Sequence, residues 1–577
     1  MVRRRELPDI SPGALGSAAA DGTLETLFYD ALIALDDDAI GLFKASVADA
    51  HRAGLIDLAA TATGTPGPVD HFAGTVYGAA IEALELDATT VIGMANAFMA
   101  RSRDATVPYF MFDAVAGWAA RDERRVTAML RAMGDGDAPA SLRIATLQAG
   151  LRVDRARYLA LVAKMLVTGD AAEANAAGFV LGTVSTAGNT ELLIVSGAIS
   201  AALSAGDPER RASAFEAALT IGLREGGDPA GAEAALDAVI DQVDARLRRI
   251  AATRMFMTRD AIPDGLMRRL LTLFRGVEKG ETETIEAVNM AIAQRLRGVE
   301  GEPYRDLLKH ILVSGIADIE VMDDSAHQIL TSNDGSLEAV VEDWIADGSD
   351  RLIDAARDIT SIPASKREMT LELDFSRFEL SAEQTLASAR KVVSSLMIQP
   401  VTATSIILSL MRTGQPDAGD GLEALLFNPL LISYWEGPKE YLESASPSQP
   451  SLVQERISRL LSSLADYEGA VRSTGVILEL GPTERQSFLR QLYRAEAQRK
   501  VRGDMPKRSG IMDFIPITRV LHGDSVVSEV FTGDGPPQRQ EFRMGSVSHS
   551  IPLARLDAID PVGFWYQRIV LSMGKAP

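Results

Sequence analysis

From about residue 23 to residue 247, apolar side chains return at i, i+3, i+4 and i+7 in runs of about 12–16 residues. Ala212, Phe215, Ala218, Leu219 and Leu223 are one such stripe. That period belongs to an amphipathic helix and not to a strand. The runs come in pairs. Units begin near Thr23, Val69, Thr106, Ala138, Ala171 and Pro208, at steps of 46, 37, 32, 33 and 37 residues. Each unit is broken near its middle: at 36–38, around Asp87, at 121–123, at Asp154, at 187–189 and at 226–229. Several end in Gly/Asp turns, such as 134–137, 169–170 and 206–208.

One short helix pair cannot bury its own apolar stripe, so such units stack and share a core. The pattern predicts a mainly α protein, an α-solenoid of HEAT-like helix pairs; an irregular helical bundle is the alternative. The signatures of tetratricopeptide and ankyrin repeats are missing. The expected organisation is a flexible N-terminal arm over 1–22, a helical-repeat array over 23–360, a second helical region over 361–510, and a β meander with a tail over 511–577. Helical patterns continue past the array at 263–276, 282–297, 303–318, 336–346 and 351–359.

At 369–375 apolar and polar residues alternate (Met369, Leu371, Leu373 and Phe375 against Thr370, Glu372 and Asp374), which predicts a short strand. Ser381/Gln384, Ser451/Gln454 and Thr483/Gln486 have the form of capping boxes. Near the C-terminus, 515–521, 525–532 and 540–553 are strand candidates separated by turns at 522–524 and 533–537. Together they predict a small antiparallel meander that needs a helical face to pack on. An apolar stretch at 562–571 with Trp565 and Tyr566 reads as a docking helix.

Composition narrows the chemistry. A chain of 577 residues is too long for one core. The net charge of −21 disfavours nucleic acid globally while leaving local patches free to bind it. There is no cysteine, which excludes disulfides, thiolate catalysis and Cys-ligated metals and fits a reducing cytoplasm. The basic start, Arg3 to Arg5, has no apolar stretch behind it and does not read as a secretory signal. The most apolar run, 192–203, is too short to cross a bilayer, so no membrane association is expected.

No Gly-Lys-Ser/Thr phosphate loop, His-Glu-x-x-His or Gly-x-Ser-x-Gly motif occurs. Asp323 and His327 share a helix face, with Asp324 beside them, but acidic residues complementing a helix N-terminus explain the group. His310 and His522 read as structural. No catalytic residue, metal site or cofactor is assigned. The chemically informative feature is basic. Arg485, Arg490, Arg494, Arg499, Lys500, Arg502, Lys507 and Arg508 face only Glu496 and Asp504, leaving 485–508 at +6. A second cluster is Arg246, Arg248, Arg249, Arg254 and Arg259. Such patches contact phosphates, an acidic partner or the protein's own acidic helices.

The expected function is a non-enzymatic, cytoplasmic helical-repeat scaffold or adaptor that binds a protein partner. One alternative is a nucleic-acid-associated protein contacting phosphates through 485–508. The other is an α-helical enzyme whose acidic metal site assembles from distant helices.

Overall fold

The computed structural model describes residues 8–35, 37–65, 71–101, 107–134, 139–185, 188–258, 261–332, 334–361, 368–434, 436–475, 483–486, 488–489, 491–493, 495, 520–522, 525–530, 538–543 and 554–575. The chain forms two compact units, 1–336 and 337–577. Helices dominate both.

The first unit contains α1 (Pro12–Ala20), α2 (Leu24–Ala34), α3 (Asp37–Arg52), α4 (Leu58–Gly64), α5 (His71–Ala83), α6 (Ala88–Arg101), α7 (Val107–Ala119), α8 (Glu123–Gly134), α9 (Ala140–Val153) and α10 (Arg155–Thr168). It continues through α11 (Ala171–Thr183), α12 (Asn189–Leu203), α13 (Pro208–Gly222), α14 (Pro229–Val239), α15 (Ala245–Met257), α16 (Asp264–Arg275), α17 (Thr282–Ala293), α18 (Glu302–Ser314) and α19 (Asp323–Thr331). The stretch expected as an arm thus carries a helix. Ser11 caps α1 by accepting from the Ala14 amide, and Leu15 is fully buried.

Several of the breakers and turns seen in the sequence supply N-caps, and Asp244 adds another. Asp154, Asp170, Asp207, Asp228 and Asp244 each accept an amide of the first turn that follows, and Asp170 with Glu173 forms a full capping box. The turn residues 135–137 and Ala187 lie outside the described residues.

Packing follows chain order. Odd-numbered helices from α1 to α19 each touch the next odd one, and α10, α12, α14, α16 and α18 form a parallel series. Small residues set the spacing: a Cβ on Gly178 of α11 would lie 2.6 Å from the Ser213 carbonyl oxygen of α13. At the N-terminal end the core is aromatic, with Phe28, Tyr77 and Phe98 in edge and tilted contact.

The second unit follows α20 (Ser336–Asp347) with α21 (Asp350–Ser361), α22 (Ala382–Ser395), α23 (Pro400–Met411), α24 (Pro416–Leu425), α25 (Glu436–Ala445) and α26 (Ser451–Thr474). It ends in α27 (Arg555–Ile559) and α28 (Pro561–Ser572). The strand expected at 369–375 is not one. The segment is extended and its burial alternates, with Leu371, Leu373 and Phe375 inside, but it pairs with side chains of α23 instead of a second strand. The Leu371 and Leu373 amides donate to the Ser405 and Ser409 hydroxyls at 3.1 and 3.2 Å, and Thr402 donates to the Met369 carbonyl at 2.6 Å.

The Ser381/Gln384 and Thr483/Gln486 boxes form. Ser451/Gln454 does not. Pro450 occupies the cap position and Gln454 turns back to the Gln449 carbonyl. Val520–His522, Ser525–Val530 and Gln538–Arg543 are β1, β2 and β3, antiparallel in that order. The rest of 515–553, turns included, lies outside the described residues.

Candidate functional site

A mainly apolar concavity lies in the first unit, between α12 and α14 over α13. Its volume is about 430 Å³. Ser196, Gly197 and Ser200 line the α12 wall and Ala234, Ala235 and Ala238 the α14 wall, with Ala218 and Ile221 of α13 beneath. The sequence explains the opening. α11 and α13 approach through glycine and alanine, whereas Gly197 of α12 has no atom within 4 Å of where a Cβ would stand. Leu193 of α12 is an exposed leucine at the edge. Larger Leu192, Val195, Ile199 and Leu203 also line the α12 side, and the small side chains of α14 opposite them leave room for apolar groups brought by something else. A single charged residue, Asp228, lines the groove, and its carboxylate is engaged as the cap of α14. The arrangement suits binding and offers no acid–base pair. Sequence reasoning missed it, because an Ala/Ser/Gly-rich face reads as ordinary helix packing; the apolar run at 192–203 was its only signal.

The basic residues separate into two cases. In the second cluster the charges are consumed by neighbouring helices. Arg246 and Arg254 pair with Glu209 and Glu216 of α13, Arg248 with Glu281 just before α17, and Arg249 with Glu283 of α17. Arg248 and Glu281 are both nearly buried, so that rung resists screening better than surface pairs do. Arg155 to Glu191 at 2.8 Å and Arg269 to Glu233 at 2.9 Å make the same kind of link between α10 and α12 and between α16 and α14. Arg259 lies outside the described residues. In the first cluster, Arg485 is exposed on a helical stretch within 484–495, while Arg490, Arg494, Arg499, Lys500, Arg502, Lys507 and Arg508 lie outside the described residues.

Asp323 and Asp324 both accept from the Asn289 side chain, at 3.1 and 3.4 Å, and Asn289 in turn accepts from the Ser325 amide. That network holds α19 on α17, with His327 exposed beyond it. Among the described residues no group of three His, Asp or Glu side chains is placed to hold a metal ion. His310 touches the Arg275 carbonyl at 3.2 Å, a structural contact. Two carboxyls of the second unit are raised by burial. Burial pushes Glu368 above the usual carboxylate range, against the Val401 and Thr402 amides that it accepts from. Burial likewise raises Glu342, opposed by the Asp374 amide and Arg377. Both hold the 368–377 segment in place.

No family model matches the chain, and no curated protein matches it. A solved crystal structure described as an engineered protein aligns over 76% of this chain and 98% of its own at 16% identity, with a TM-score of 0.20. A likeness at that level carries no argument about fold or function. No described helix is long and apolar enough to cross a membrane.

Proposed function

We propose that the first unit is an α-solenoid of HEAT-like helix pairs and that the chain is a scaffold or adaptor, holding an amphipathic helix of a protein partner in the groove between α12 and α14. The groove carries the reading: an apolar cleft of about 430 Å³ with an Ala/Gly wall on α14 and a mixed Leu/Val/Ile and Ser/Gly wall on α12. An apolar cleft with one wall this small suits an occupant that supplies its own leucine, isoleucine or aromatic anchors at i, i+3, i+4 and i+7. A net charge of −21 speeds encounter with a partner whose polar face is basic. The serial contacts of odd with odd and even with even helices support the solenoid, since each unit leans on its chain neighbours. The three C-terminal strands are taken as a meander.

The test is recovery of partners by the full-length chain, with and without nuclease, alongside a variant carrying Ser200→Arg and Ala234→Arg. Both positions are exposed, so the variant should keep its helical circular dichroism and thermal midpoint. A partner that survives nuclease and binds the variant at least about tenfold more weakly supports the groove. A partner bound equally by both proteins removes it. Partners lost on nuclease treatment, with binding abolished by Arg490→Glu and Arg494→Glu, would favour phosphate contact through 485–508 instead.

A further inference from the structure

α28 is apolar on two sides, and among the described residues only one of them has a partner. The inner side rests on α22: Phe564 is 6% exposed and Leu571 fully buried. Arg390 donates to the Gly574 carbonyl at 3.0 Å and Ser394 to the Arg568 carbonyl at 2.9 Å, which fixes the rotation of the helix. The outer side shows Val562, Trp565, Tyr566 and Ile569 at 79, 52, 66 and 52% exposure around a shallow concavity. Ile559 and Met573 extend the stripe at either end. A helix anchored this firmly does not carry such a stripe to water without consequence, because contiguous exposed apolar surface marks an interaction site.

We infer that this face pairs with the same face of a second copy of the chain, α28 against α28 in antiparallel order. The stripe is its own complement. About a two-fold axis passing between residues 565 and 566, Val562 faces Ile569, and Trp565 faces Tyr566. An isologous contact requires that self-matching, with each residue i meeting j while j meets i. Charge agrees with the antiparallel sense. Asp557 and Asp560 outweigh Arg555 before the start of the helix and Lys575 lies just past its end, so an end with a net negative charge meets a basic one. The helix dipoles oppose each other as well. Arg568 lies over the Trp565 ring, 4.6 Å from its centroid.

Sedimentation equilibrium of the full-length protein tests the pairing, with the double variant Trp565→Glu, Tyr566→Glu as control. Both side chains are exposed, so the variant should melt where the parent does. The expected result is a concentration-dependent dimer whose affinity falls by about tenfold or more in the variant. A dimer untouched by the variant overturns the proposal. So does a monomer throughout the range, including one whose Trp565 fluorescence is shielded by the stripe Phe488, Leu489, Leu492 and Tyr493 of the same chain, whose side chains are also exposed.

The chain has no cysteine, which permits a clean geometric check. Val562→Cys mixed with Ile569→Cys should form an oxidised cross-linked dimer. Either alone should not, because like positions would stand about 10 Å apart along the axis. Val562→Cys linking to itself would mean parallel pairing and would overturn the antiparallel arrangement.

Discussion

Two glycines on neighbouring helices show how one residue type serves opposite ends. Gly178 sits in the interior of α11, where a Cβ would stand 2.6 Å from a backbone oxygen of α13. Helix propensity favours alanine there by only about 0.5–1 kcal/mol, whereas overpacking costs about 1–3 kcal/mol, so sterics win. Gly178→Ala should lower the urea midpoint of the full-length protein. Gly197, inside α12, meets nothing within 4 Å. Gly197→Ala should raise stability by about 0.5–1 kcal/mol. A destabilising Gly197→Ala would mean that α12 is more crowded than its surroundings allow.

Glu368 gives a prediction in pH. Its carboxyl is raised by burial, so the folded chain holds this proton to a higher pH than the unfolded chain does. The stability it contributes is therefore present below the ordinary carboxylate value and lost as pH rises through the elevated one. Glu368→Gln keeps an acceptor for the Val401 and Thr402 amides but cannot titrate. The parent's stability relative to this variant should rise on acidification through the carboxylate range and fall on return to neutral pH. A flat difference across that range would refute the assignment.

At the level of elements, α23 takes the place of a β-strand. Thr402, Ser405 and Ser409, spaced by three and four, line up along one face and offer hydroxyls to an extended chain in the register that a strand's backbone would offer. Ser405→Ala leaves the buried Leu371 amide without a partner, and Ser409→Ala does the same to Leu373. Each should cost about 1–3 kcal/mol in chemical denaturation, against about 0.5 kcal/mol or less for Ser444→Ala on the exposed end of α25.

This element also shows what was legible in the sequence. The alternation at 369–375 matches the burial of Leu371, Leu373 and Phe375, because burial follows the period of an extended chain. It could not tell who supplies the hydrogen bonds, because the partner lies more than thirty residues away and is a helix. Helix starts were legible for the converse reason: a cap such as Asp154 or Asp170 satisfies an amide within three residues, so its signal is local. Pro450 shows the limit of that signal, taking the cap position one residue ahead of Ser451. The groove between α12 and α14 had no such signal. It is a gap between elements, and the Ser200 and Ala234 that line it are residue types that fill helix contacts everywhere else.

At the scale of the molecule, the first unit is held by contacts that are short in sequence. Its helices pack chiefly on those one and two places along the chain, and acidic and basic residues 33 to 38 positions apart close rungs between them, as Arg248 does with Glu281 and Arg254 with Glu216. Stability in such an arrangement is approximately a sum over neighbours, so where the chain is cut should matter more than how much is removed. A piece comprising residues 1–335 stops at the division between the two units. It should express as a soluble chain with a helical far-ultraviolet spectrum and a cooperative melt. A piece ending at residue 206 removes α13 and uncovers the face of α11 that carries Gly178 and Gly182, both packed against α13 in the full chain. That piece keeps most of its helices, yet it should aggregate or melt at a markedly lower temperature, because the apolar face it exposes was built to be covered. If both pieces behaved alike, the stability of the unit would not be carried by neighbour contacts. If the longer one failed to fold, the division at residue 336 would not mark a unit that stands on its own.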